Sequence, residues 1–256
     1  MTVYYTIIFF LFGTIFGSFY NVVGDRLPRG ESIISPRSHC PKCGHILTPL
    51  ELIPIFSFLL QKGKCKNCKA PIPWFHPVFE IASGILFALS YLAFGLTWEL
   101  LIALTFVSML LIIFVSDIET MIIPDEVLIV FGILLLIEIY FIRGGEALFS
   151  ALISGIISFI IMFLLKKFGD FLFKKESMGG GDIKLMGIFG IVLGWPLAII
   201  SIFLGSIIGL PIAIMTLKKN SNHEIPFGPF LSLGAIILLL SRIDMEMILY
   251  LLTWNR

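Results

Sequence analysis

ELLIALTFVSMLLIIFVSDIETMIIPD, residues 99–125, is an apolar run that ends in acid. From 100 to 116 it carries no charge, which is close to the ~20 residues a helix needs to cross hydrocarbon. Asp117 then falls at a helix C-terminus, where a carboxylate opposes the dipole. Pro124 forbids a continuous helix, so the chain reverses at the membrane surface and Asp125 begins the next span as a cap residue. Carboxylates at the edge of a lipid-embedded helix are costly to keep, and their default reading is a functional site.

The same reading extends along the chain. Its 256 residues are 58% hydrophobic and 14% charged, with a mean hydropathy of +1.02. Apolar runs at roughly 3–20, 78–96, 99–116, 127–142, 147–165, 183–195, 197–216 and 228–252 make an all-α polytopic membrane protein of about eight transmembrane helices. Gly194-Trp195-Pro196 reads as a tight turn between two spans, and Ser241–Glu246 interrupts the last one. A net charge of +1 says nothing about nucleic acid; the apolar spans make the lipid bilayer the expected partner, and no nucleic acid is expected. Lipid-exposed apolar faces carry no information on oligomers.

Orientation follows from Lys and Arg. Eight basic residues lie in 21–77, five between Lys166 and Lys184, and two at Lys218 and Lys219, of 18 in the chain. With those connections inside, Asp117, Asp125 and Asp182 all fall at the cytoplasmic face. The first run lacks a basic leader and an Ala-x-Ala site, so it reads as a retained span.

All four cysteines sit in the polar insertion 21–77, as Cys40-Pro-Lys-Cys43 and Cys65-Lys-Asn-Cys68. Two such knuckles can close a tetrahedral zinc site like that of a zinc ribbon, structural because no ligand position is left for water. The other reading, two disulfides, conflicts with a reducing cytoplasmic location. Lys42, Lys64, Lys66 and Lys69 offset the charge of a tetrathiolate, and the metal supplies folding energy to a loop with little core. His39 and His45 flank the first knuckle and are candidate substitute ligands, with solvated surface histidines the favoured reading.

A second acidic motif is Gly179-Gly180-Gly181-Asp182. Its glycines permit close backbone approach and unusual dihedrals. No Lys-Ser/Thr follows, so it is no phosphate loop. Asp125 and Asp182 can each be read simply as helix N-caps; Asp117 cannot.

Together these residues resemble the bacterial type IV prepilin peptidases, membrane aspartic proteases of the GxGD class. The resemblance is carried by Gly17-Ser18-Phe19-Tyr20-Asn21 and Arg26-Leu27-Pro28, by Ser35–Cys40, Leu52–Ile55, Gly63-Lys64-Cys65 and Pro77–Glu80. The two acidic motifs and Pro226-Phe227-Gly228-Pro229-Phe230 complete it. Gly24 and Asp25 depart from the bulkier apolar residues usual before the arginine.

The resemblance implies a catalytic dyad of Asp117 and Asp182, supported by Asp125, Gly179 and Gly181. It implies a first transmembrane helix (1–20), a tetracysteine zinc-binding domain (21–77) and a membrane-embedded aspartic peptidase domain (78–256). The expected activity is cleavage of the short basic leader of prepilins and pseudopilins after a glycine, at the cytoplasmic face of the bacterial inner membrane. Members with the cysteine loop also N-methylate the new terminus with S-adenosylmethionine, and Gly63 and Lys64 are linked to that transfer. Asn21, Arg26 and Glu80 are further polar candidates, equally read as caps or snorkelling residues. No methyl-donor fold is visible in the sequence itself.

Two adjacent carboxylates cannot both ionise cheaply, so the dyad holds one proton, its ionised member activating water and its protonated member polarising the scissile carbonyl. A proton-coupled transporter is disfavoured, because the three aspartates share one face and the spans show no inverted repeat. A zinc-loop anchor without activity leaves Asp117 unexplained.

Overall fold

The computed structural model describes residues 1–219 and 225–243. Its regular structure there is helical, with two isolated β-bridges. Contacts divide the chain into two units, Met1–Leu96 and Thr97–Arg256.

In the first unit, α1 (Thr2–Arg26) and α3 (Phe75–Phe94) run antiparallel. Phe9 stacks on Tyr91 at one end, and Asn21 meets His76 at the other. Small residues set their separation: a Cβ on Gly13 would lie 2.6 Å from the Ser83 carbonyl oxygen, and one on Gly17 equally close to Ser83 Cβ. Lipid tails are as apolar as leucine, so such helices associate through close packing rather than the hydrophobic effect. α1 runs past the apolar stretch ending at residue 20 because nothing breaks it before Pro28, and Arg26 in its last turn suits the dipole. Two 3-10 turns, Leu27–Arg29 and Pro49–Leu52, and the short α2 (Phe56–Leu60) shape the loop between α1 and α3.

In the second unit, α4 (Trp98–Thr120) is the buried centre. Phe106, Val107, Met109, Leu110 and Ile113 are fully enclosed there. After it come α5 (Asp125–Arg143), α6 (Gly145–Phe173), α7 (Gly180–Leu193), α8 (Trp195–Lys219) and α9 (Gly228–Ser241). α4 and α5 form a hairpin whose end away from Asp117 is tied by Arg143, which donates to both oxygens of Glu99. Gly194, at φ 83, is the whole connection between α7 and α8.

Among the described residues each expected apolar run overlaps a helix, the last of them from 228 to 241, and five of these helices (α1, α3, α4, α6 and α8) are long and apolar enough to cross a membrane. The chain is therefore a multi-pass membrane protein. α5 carries Asp125, Glu126, Glu138 and Arg143, while α7 and α9 have 14 residues each. The interruption expected at 241–246 begins at Arg242, in a left-handed conformation, and Asp244–Glu246 lie outside the described residues.

Candidate active site and cysteine cluster

Asp117 occupies the last turn of α4 and is buried. Met121 ends that helix at φ 56, its amide returning to the Asp117 carbonyl at 2.9 Å. Pro124 then takes the cap position expected of Asp125, which becomes the first helical residue of α5. Proline has no amide to lose there, whereas an aspartate is favourable anywhere in the first turn.

Ile123, in the reversal, packs against two glycines. A Cβ on Gly181 would fall 2.8 Å from Ile123 Cβ, and one on Gly228 3.4 Å from its Cδ1. The Gly228 amide donates to Asp117 Oδ2 at 2.9 Å, and a Cβ on Gly228 would come within 2.7 Å of that oxygen. This answers the electrostatic puzzle of Asp117. Its carboxylate opposes the dipole of α4 but accepts from the first amide of α9, at the positive end of another helix.

Asp182 is the third residue of α7 and is also buried. Its carboxylate turns back toward the Gly179 amide. It feels the charge of Asp117, and Lys166 of α6 acts on it through space. Neither buried aspartate has a salt-bridge partner among the described residues. Two buried carboxyls from α4 and α7, 65 positions apart in the sequence, are thus gathered around Ile123 by glycine-mediated packing.

Gly179 is extended, at φ −66, and none of the three glycines has positive φ. The unusual dihedrals expected of them are absent. Close approach is needed at Gly181 alone, since a Cβ on Gly180 would meet nothing within 4 Å. Asp125 turns away from the buried pair: Lys184 Nζ donates to both its oxygens at 2.7 Å, with both side chains more than half exposed. The segment Pro226–Phe230 does start α9, as its proline content suggests, and Gly228 also enters the site. A glycine heading a helix offers an unblocked orphan amide, the one sequence signal that pointed there. Ile123 and Lys184 carried no signal of their own.

The four cysteines are free and their sulfurs lie within 4.8 Å of one another. Cys40 and Cys68 Sγ are 3.8 Å apart, Cys43 and Cys65 Sγ 3.9 Å. Four thiolates at ~2.3 Å from a tetrahedral zinc stand about 3.8 Å apart, so the set fits a metal ion.

The knuckles repeat one another. Gly44 donates to the Cys40 carbonyl and Cys40 to that of His45; Lys69 donates to Cys65 and Cys65 to Ala70, all at 2.8–3.0 Å. Gly44 at φ 70 and Lys69 at φ 59 hold the same left-handed position. The Lys42 and Cys43 amides draw the Cys40 thiol below its ordinary range, and the His45 amide does the same for Cys43. The Ala70 amide works in that direction on Cys68, but desolvation and the three neighbouring thiols push it up to about 11. Such a set cannot shed all its protons alone, and a cation in its midst removes that conflict. His45 instead pairs with Glu51, and His39 with the Arg37 carbonyl.

The polar residues linked to methyl transfer have local partners. Arg26 donates to the Ser32 and Pro36 carbonyls. Asn21 bonds His76 at 2.6 Å. Buried Glu80 accepts from the Ile55 amide at 2.8 Å. Gly63, at φ 68, packs on the Phe58 ring, and Lys64 is exposed. Asn21 and Glu80 thus share His76 as a neighbour, while Arg26 and Gly63 make contacts of their own.

Residues 11–94 match the family described as bacterial peptidase A24 N-terminal domain, and residues 104–214 the type IV leader peptidase family. A prepilin leader peptidase/N-methyltransferase of Bacillus subtilis is 38% identical over 233 residues, covering 90% of this chain and 92% of its own length. Proteins of the same name from Myxococcus xanthus and Pseudomonas aeruginosa are 33% and 32% identical, over 86% and 90% of this chain and 67% and 88% of their own lengths. No solved structure matches.

Proposed function

From the membership of this chain in the type IV leader peptidase family, which its relatives establish, we propose that it removes the leader of type IV prepilins and pseudopilins and N-methylates the new terminus. The observation that carries the peptidase reading is the pair of buried aspartates Asp117 and Asp182, gathered where Gly228 and Gly181 both pack on Ile123 and without a salt-bridge partner among the described residues. A structural ion pair would bring a cation. A lone cap would need no second carboxyl.

In this reading the pair shares one proton. The ionised aspartate takes a proton from water, which attacks the carbonyl of the glycine preceding the cut. The protonated one hydrogen-bonds the carbonyl oxygen and then passes its proton to the leaving amine, so no covalent intermediate forms. The Gly228 amide fixes the Asp117 carboxyl, and the Gly179 amide fixes that of Asp182. Asp125 acts through Lys184, tying the start of α5 to α7, and touches no reacting atom. Gly181 lets α7 approach Ile123; Gly179 is the N-cap of α7.

The chemistry belongs to the stretch 78–256, and within it to residues from Thr97 onward. The chain would cross the bacterial inner membrane eight times, with the catalytic face cytoplasmic, as its Lys and Arg distribution supports. Zinc would be held by Cys40, Cys43, Cys65 and Cys68 in the 21–77 insertion, shaping it without taking part in cleavage. S-adenosylmethionine would supply the methyl group. That activity is supported by what the relatives are named, and no step is assigned to Gly63, Lys64, Asn21, Arg26 or Glu80.

The test is mass spectrometry of a prepilin incubated with membranes holding this protein and S-adenosylmethionine. A product shortened by its leader and heavier by one methyl supports both activities. A shortened, unmethylated product removes the second, and an intact substrate removes the first.

A further inference from the structure

The insertion between α1 and α3 has an outward apolar face that neither activity uses. In α2, residues 56, 59 and 60 lie three and four apart and so share one side of the helix. Phe56, Leu59 and Leu60 are exposed, the last two at 63% and 68%. Phe58, on the other side, is buried, packed on Gly63 and edge-on to the Trp74 ring at 4.8 Å. Trp74 is itself 71% exposed and immediately precedes the first residue of the α3 span. Apolar residues concentrated on the outside of a polar loop mark an interaction surface.

Charge says what covers it. Lys62, Lys64, Lys66 and Lys69 are exposed, and no acidic residue stands between Glu51 and Glu80. Those two carboxylates are engaged elsewhere, Glu51 by Thr48 and Glu80 by Ile55. A zinc tetrathiolate would cancel about two of the four positive charges, leaving a surplus. Both ends of the loop run directly into membrane helices, so the bilayer is continuous with this surface by covalent connection.

We propose that α2 and Trp74 lie in the headgroup and upper acyl layer of the same membrane that α1 and α3 cross, with the four lysines on its anionic lipids. The insertion is then an interfacial element, its apolar side immersed and its cationic side at phosphate level. A tryptophan at the junction suits the aromatic belt found where spans leave the hydrocarbon.

Depth-dependent quenching in nanodiscs tests this on the full chain. Leu60→Trp, in a background of Trp74→Phe, Trp98→Phe, Trp195→Phe and Trp254→Phe, places one reporter in the middle of the loop. In discs containing phosphatidylglycerol, lipid brominated at acyl carbons 6 and 7 should quench it about threefold more than aqueous acrylamide does. Replacing phosphatidylglycerol by phosphatidylcholine, or combining Lys62→Gln, Lys66→Gln and Lys69→Gln, should cut lipid quenching at least by about half. Strong acrylamide quenching without lipid quenching would overturn the proposal, leaving the face in water. Protection from both quenchers would also overturn it, placing a second copy or another protein there. Equal lipid quenching in both lipids would remove the anionic partner.

Discussion

The cysteine cluster and the aspartate pair gather polar side chains by opposite means. The cysteines come from two short knuckles whose own turns aim amides at sulfur, so each half of the cluster is built within about six residues. The aspartates come from α4 and α7, and the amide that holds Asp117 comes from α9, 111 positions away. The first arrangement depends on local backbone conformation, the second on how closely helices pack. A backbone defect should therefore harm the cluster, while one added methyl in the wrong place should harm the dyad.

The largest effect short of the dyad itself is expected at its glycines. Gly228→Ala sets a carbon 2.7 Å from Asp117 Oδ2, and Gly181→Ala one 2.8 Å from Ile123 Cβ. Misplacing a catalytic group by ~1 Å can cost about 100-fold, so prepilin cleavage should drop by about that much in each. Gly180→Ala, with open space at that position, should stay within about twofold and gain up to ~1 kcal/mol of helix stability.

Breaking the cluster should act on metal and leave the dyad geometry intact. Cys43→Ser is expected to weaken zinc binding at least about tenfold, read as metal per chain, and to expose 37–70 to proteolysis. If the same change left metal content untouched, the four-sulfur site would be wrong.

Asp125→Asn probes the tether between the two acidic motifs. Both partners of the Lys184 pair are more than half exposed, and such pairs contribute about 0–1 kcal/mol. Cleavage should fall by no more than about fivefold, and moderate salt should mimic part of the loss.

The smallest effect tests whether the knuckles are equivalent. Lys69 holds the left-handed position that Gly44 fills in the first knuckle. Lys69→Gly should raise the thermal stability of the insertion by about 0.5–1 kcal/mol, whereas Gly44→Lys should lower it.

How much could be read beforehand follows the same division. The cysteine spacing, the long apolar helices and the reversal at Pro124 were all legible, because each rests on residues near one another in sequence. Asp117 was legible through its unfavourable dipole placement, yet the α9 amide that relieves it was not. Nothing in Pro226–Phe230 says which carboxylate its first amide will meet. Gly181 and Gly180 are alike in sequence and differ only through Ile123, which no periodicity marks. The expectation of unusual glycine dihedrals failed because α7 begins one residue after Gly179, so Gly180 and Gly181 are already helical.

Cleavage of a model prepilin in membranes by the wild type, Asp117→Asn and Asp182→Asn, at matched expression, tests the dyad most directly. Each single change should abolish cleavage while Asp125→Asn only weakens it, because in the proposed dyad the two carboxyls share one proton and neither works alone. Persistent cleavage by Asp117→Asn or by Asp182→Asn would contradict the account.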